Sequence, residues 1–217
     1  MTLSVPSALE RQKIFTAGTG FSTCDSINRN SHAVYDYQRI IDKYYPADTV
    51  LRDIYMRHCR SVAEKALKIA REKQLEIDPA EIEAGAMLHD IGIFLTDAAG
   101  IHCHGSLPYL AHGRAGADLL RAEGAPEIYA RIAERHTGAG LTPDDIDRLG
   151  PALTPDRSYM PQTDLEQLIC YADKFFSKNG DMLEKPLAKV RASISKFGDR
   201  ALSRFDALHS RFATEGQ

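Results

Sequence analysis

The run "TVLRDIYMRHCRSVAEKALKIAREKQ", residues 49–74, sets the fold class. Apolar residues fall at 51, 54, 55, 62, 66 and 69, the spacing of one face of a helix about six turns long. Asp48 or Thr49 stands where an N-cap is wanted. One residue breaks the stripe. His58 lies seven after Leu51, four after Ile54, three after Tyr55 and four before Val62, in the middle of the apolar face. An ionisable group buried there costs free energy unless something compensates it.

Outward from this helix the chain stays helical. In "DPAEIEAGAMLHD" (78–90), Asp78 is an N-cap, Pro79 takes the first helical position and Glu81 the third, a capping-box-like start. Gly92 is expected to let the chain leave that helix. A histidine-rich loop, "TDAAGIHCHGSLPYLAH" (96–112), leads to a helix ending before Gly124, and Pro126 opens another that runs to "ERHTGAG" (134–140). "LTPDDIDRLG" (141–150) predicts a short helix and "PALTPDRSYMPQT" (151–163) a proline-punctuated loop. "DLEQLICYADKFFSK" (164–178) predicts a helix with Leu165, Leu168, Ile169, Ala172 and Phe176 on one side. Two further amphipathic segments meet near Gly198 in 185–213. There is no β-hairpin signal, internal repeat or low-complexity tract.

The expected architecture is all-α: a single-domain helical bundle over 36–217, its functional core at about 48–180 and its C-terminal helices at 185–213. Residues 1–35 show no sustained period and read as a loosely structured extension, with at most a short helix near Ala8 to Phe15. Of 217 residues, 43% are hydrophobic and 26% charged, and 27 basic against 30 acidic residues leave a net charge of -3. No global positive field invites nucleic acid or an anionic membrane. Without a long apolar run or a secretory leader pattern, a cytoplasmic setting is expected. Cys24, Cys59, Cys103 and Cys170 form no C-x-x-C pair and read as small buried hydrophobes.

Four more polar residues share the anomaly of His58. His89 lies seven after Ile82 and three after Ala86, and His112 precedes Ala115, Gly116 and Leu119 at three, four and seven. His136 follows Tyr129, Ile132 and Ala133 at seven, four and three; Asp173 follows Ile169 by four and precedes Phe176 by three. Asp90 adjoins His89. A backbone carbonyl can satisfy one buried imidazole, but four imidazoles with two carboxylates need a large polar network or a metal. Imidazole and carboxylate without thiolate suit Fe, Mn, Zn, Co or Ni, with Fe or Mn favoured, while Mg would prefer more oxygen. So many donors exceed what one catalytic ion with open positions uses, and two ions sharing a carboxylate fit better.

The ordered set His58, His89-Asp90 in "LHDIG", His112 in "AHG", His136 in "RHTG" and Asp173 in "YADK" resembles the HD superfamily of metal-dependent phosphohydrolases, in its HDIG-type form. The resemblance spans about 48–180 and implies a helical bundle. It implies that His58, His89, Asp90 and Asp173 hold one metal, and that Asp90 also touches a second metal held by His112 and His136. The "HG…HTG…YAD" wording is similar to the HD hydrolases that split diadenosine tetraphosphate symmetrically. Two departures stand out. Many dinuclear relatives carry a lysine just after the glycine, where this chain has Ile93 and Phe94, and some have paired histidines where it has His136-Thr137.

The function expected is hydrolysis of a small phosphorylated substrate, a nucleotide first, by metal-activated water. Asp90 is the central catalytic carboxylate. Lys174, Arg114 and Arg135 are the cations nearest the ligands in sequence and are candidates to bind phosphoryl oxygens, although such neighbours are commonly solvated surface charges. His104, or less readily His102, would point to one side of an extended loop and could serve as a further ligand or as general acid; a plain surface loop explains them equally well. Asp97 is a weaker acid candidate. The competing classes are an HD-type diiron oxygenase of a small polyol or phosphonate and a nucleotide-binding sensor without turnover.

Overall fold

A computed structural model of the chain describes residues 35–214. The reading of the N-terminal extension, its short helix and Cys24 lies outside them. Nine α-helices are present among the described residues: α1 Tyr37–Tyr44, α2 Val50–Glu72, α3 Pro79–Leu88, α4 His112–Ala122, α5 Glu127–Arg135, α6 Pro143–Leu149, α7 Asp164–Asp173, α8 Leu187–Ile194 and α9 Asp199–Phe212. The protein is all-α. None of these helices is long and apolar enough to cross a membrane.

Local chemistry explains the boundaries. Thr49 caps α2 by accepting from the Arg52 amide, and Asp78 caps α3 by accepting from Ala80, with Pro79 at the first position. Thr142 and Asp145 form a reciprocal capping box on α6. Gly124 and Gly198, at φ +70° and +96°, end α4 and separate the C-terminal helices where a side chain would be strained. Helix α1 was not read from the sequence, being only eight residues long. Two-residue antiparallel strands, β1 Asp97–Ala98 and β2 Cys103–His104, pair in the histidine-rich loop, a ladder too short to leave an alternation.

Helix α2 packs along α3 and α7, α4 lies against α5, and α9 covers α7. Their shared core contains Tyr55, Val62, Ile69, Ile82, Leu88, Ile132, Leu168, Ile169, Phe205 and Phe212, each at most 1% exposed. Burial of each such side chain stabilises the fold by roughly 1.5–3 kcal/mol. A smaller cluster, Leu141, Ile146, Leu153 and Tyr159, sits under the proline-rich loop. Cys59, Cys103 and Cys170 are free and buried, as small hydrophobes would be.

Gly92 serves a different purpose from the one expected. Its φ is −88°, open to any residue, but a Cβ there would lie 2.3 Å from the His112 carbonyl oxygen and 2.4 Å from the Gly116 amide nitrogen. The turn after α3 therefore rests directly on the backbone of α4. Tyr45 and Tyr55 brace the same turn by donating hydroxyl hydrogen bonds to the carbonyls of Ile91 and Met87.

Candidate metal centre

The five polar residues singled out by helical spacing converge together with Asp90. His58 comes from mid-α2, His89 caps the C-terminus of α3 with Asp90 one step beyond, His112 opens α4, His136 caps α5 and Asp173 is the last residue of α7. All are at most 8% exposed. Helix ends supply more than position, because their last carbonyls have no partner within the helix. His89 Nδ1 donates to Ala86 O at 2.6 Å and His136 Nδ1 to Ala133 O at 2.7 Å, while His112 Nδ1 donates to Tyr109 O at 2.6 Å.

These bonds fix the tautomer. With the proton on Nδ1, each Nε2 presents a lone pair to the centre. His112 Nε2 and His136 Nε2 lie 2.9 Å apart, and His58 Nε2 and His89 Nε2 3.2 Å apart. The lone pairs of His112 and His136 at that distance repel unless a cation stands between them, whereas His58 Nδ1 has no partner to fix its tautomer. The donor atoms form two groups, His58, His89, Asp90 and Asp173, and Asp90, His112 and His136, with the atoms of each within 4.8 Å of one another.

Asp90 belongs to both. Its Oδ2 is 3.0 Å from His58 Nε2 and 3.2 Å from His89 Nε2, whereas its Oδ1 is 3.4 Å from both His112 Nε2 and His136 Nε2. Asp173 Oδ1 lies 3.1 Å from His58 Nε2. No neighbour is aligned for a hydrogen bond to either oxygen of the fully buried Asp90, and its charge is met by an ion pair with Lys178 at 2.6 Å. A hydrogen-bonded network would not leave a carboxylate so; a divalent cation fits these donors in charge and type.

The electrostatics keep the two carboxylates ionised and His112 and His136 neutral, but favour the protonated form of His89. Burial works against ionisation of Asp90 and Asp173, yet Lys178 and His89 hold the first well below the usual carboxylate range, and Lys174 and His58 do so for the second. Burial, reinforced by His136 beside it, pushes His112 down to about 3, the neutral form a metal ligand needs. Burial also lowers His136. His89 goes the other way, since the Asp90 and Asp173 carboxylates outweigh its burial.

The cations differ from expectation. Lys174 is at the centre, its Nζ 2.6 Å from Asp173 Oδ2 and 2.8 Å from His136 O. Lys178, which sequence reasoning missed, is closer still to the shared carboxylate, with Nζ 2.6 Å from Asp90 Oδ2. A helix continued through 178 would turn this residue about 140° away from Asp173. Instead α7 stops at Asp173 and the chain folds back. Lys178 thus brings positive charge to the neighbourhood that Ile93 leaves without it.

Arg135 is corrected. Its Nη1 lies 3.0 Å from Oε2 of buried Glu166 and its Nε donates to Ser158 O, so it serves the fold and not the site. Arg114 is half-buried on α4 and does not line the cavity beside the centre. His104 and His102 are exposed and line none of it either. The loop is not extended at that point, because His102 takes a left-handed conformation with φ +58°. Asp97 is likewise exposed, paired with His104 across the short ladder.

That cavity measures about 430 Å³ and opens onto His112, His136, Asp173, Lys174 and Lys178. Tyr109 stacks on the His112 ring at 4.7 Å, at the rim. A volume of this size suits a small molecule.

The HD domain model matches residues 55–177, more than half of the chain and all six converging residues. The chain belongs to the HD domain family. It is 35% identical over 152 residues to an uncharacterized protein of Methanocaldococcus jannaschii, covering 65% of this HD protein and 82% of the relative. It is 36% identical over 163 residues, 75% of its length, to a tRNA (cytidine(56)-2'-O)-methyltransferase of Thermoplasma volcanium. The chain spans 43% of that enzyme's length and 32% of the Picrophilus torridus counterpart, to which it is 33% identical over 125 residues. Among solved structures, the HD domain of the L. monocytogenes phosphodiesterase PgpH superposes with a TM-score of 0.49 at 17% identity, covering 82% of this chain and 88% of that one.

Proposed function

We propose that this HD protein is a metal-dependent hydrolase of a small phosphorylated molecule, acting on a phosphoester or phosphoanhydride. One observation carries the reading: the imidazoles of His89, His112 and His136 are aimed, by main-chain hydrogen bonds, at a buried carboxylate that Lys178 pairs with and that no aligned hydrogen bond satisfies. His58, His89, Asp90 and Asp173 would hold one divalent ion, and His112 and His136 a second that shares Asp90. A bound divalent cation acidifies water and draws negative charge from phosphoryl oxygens.

The chain's own residues do the rest. Lys174 and Lys178 face the cavity and neutralise the substrate's phosphoryl oxygens as charge develops there. The cavity walls hold the organic part and limit the access of bulk water. Water supplies the oxygen of the new bond to phosphorus, the old P–O bond breaks, and the leaving oxygen takes a proton. The methyltransferase activity in the names of two relatives is not carried over, because the match covers less than half of those enzymes.

The test is the metal content of the purified chain, followed by activity with Mn, Fe or Co. The substrates are dinucleoside polyphosphates, placed first by the "HTG…YAD" wording, nucleoside mono- and triphosphates, and an aryl phosphate. Bound transition metal with phosphate release is expected. Absence of both after metal addition sinks the reading, and oxygen uptake without phosphate release would put an oxygenase in its place.

A further inference from the structure

Three lysines line the cavity, and two of them are matched: Lys178 by Asp90 and Lys174 by Asp173. The third, Lys185, has no hydrogen-bond or ion-pair partner for its ammonium among the described residues. Its main chain is fixed, the amide donating to Phe175 O at 2.7 Å. The preceding residue points elsewhere, with Glu184 Oε1 2.6 Å from Lys65 Nζ. Lys185 is therefore half-buried and held at the cavity wall with its charge unmet.

If cations occupy the carboxylates, Lys174 and Lys178 lose their ion-pair partners, and Lys174 keeps only the neutral His136 carbonyl. Three ammonium groups would then face one small cavity, more positive charge than the roughly −2 of a single phosphoryl group neutralises. The lining also includes the apolar side chains of Ile101, Phe176, Val190, Ile194 and Phe197. Such a cavity accommodates a molecule with a strongly anionic head and an organic body.

We infer that Lys185 binds a second phosphate of the substrate, so that the site prefers a small organic diphosphate to the matching monophosphate. The inference rests on the phosphohydrolase reading and names the substrate class for it. Burial and the like charges of Lys174 and Lys178 lower the ammonium of Lys185 despite the pull of Asp173, and an anion placed beside it would relieve that cost.

The experiment uses the full chain and two probes that differ by one phosphate, ADP and AMP. Calorimetry without added metal, and kcat/KM with Mn, are measured for the wild type, Lys185→Met, Lys185→Arg and Lys189→Met, the last an exposed control on α8. The wild type should favour ADP by about tenfold or more, the worth of one charge-assisted contact. Lys185→Met should erase the preference, while Lys185→Arg and Lys189→Met should keep it. Equal affinity for the two nucleotides, failure to bind either, or an unaltered preference in Lys185→Met overturns the inference. Failure of the broader reading looks different: the preference and its dependence on Lys185 persist in calorimetry, but no substrate is hydrolysed with any metal.

Discussion

Glu166 and Asp90 are both carboxylates with no exposed side-chain surface, yet the protein surrounds them in opposite ways. Glu166 is closed off. Arg135 Nη1 lies 3.0 Å from its Oε2, and the Gln162 amide donates to the same oxygen at 2.7 Å. Asp90 pairs with the Lys178 ammonium and has four imidazole nitrogens within 3.4 Å, none of them aligned as a hydrogen-bond donor. A buried charge that serves the fold is completed by its neighbours. One that serves chemistry is approached by them and left open.

The largest expected effect tests the open side. Asp90→Ala should remove the group shared by both donor sets, reducing metal content and lowering kcat/KM beyond the roughly 10–100-fold that loss of an outer-shell partner costs. Full metal content with full activity would erase the distinction drawn here. On the closed side, Arg135→Leu strands Glu166 and should destabilise the fold by about 3–5 kcal/mol in urea denaturation. The metal content of the folded protein should stay the same. If metal is lost and stability kept, Arg135 belongs to the centre after all.

Lys178→Met sharpens the contrast from within the site. It should lower kcat/KM by roughly 10²-fold, as when one donor to a developing oxyanion is lost, with metal content unchanged. The smallest effect comes from a second closed carboxylate. Against its burial, Thr142 and Arg204 hold Asp145 down to about 2, from an ordinary 3.8. Its contribution is therefore complete above about pH 3.8 and is lost as the pH falls toward about 2, worth about 2 kcal/mol. Asp145→Asn should flatten that part of the stability profile; an unchanged slope would show that the carboxylate is not closed off.

What the sequence made legible follows from periodicity. The main helices and the convergence of His58, His89, His112, His136 and Asp173 could be read because helical spacing ties a residue's number to the face it occupies. Where the helix stops, that tie is cut. Lys178 lies five residues past the end of α7's register, and His102 turns left-handed, so the loop pair at 102 and 104 never acquires a common side. Arg135 was misplaced for a different reason. Its partner Glu166 is 31 residues away, and no local pattern announces such a pairing.

The contact of Gly92 with Gly116 carries a further consequence. One glycine follows the His89-Asp90 pair and the other lies on the helix that begins with His112, so main chain meets main chain where the turn carrying His89 and Asp90 rests on α4. Their separation is thus gauged by peptide units and not by side chains. Repacking elsewhere in the core can drift without altering that gauge, whereas a single methyl group at position 92 would reset it. A backbone contact thus ties the placement of His89 and Asp90 to that of His112.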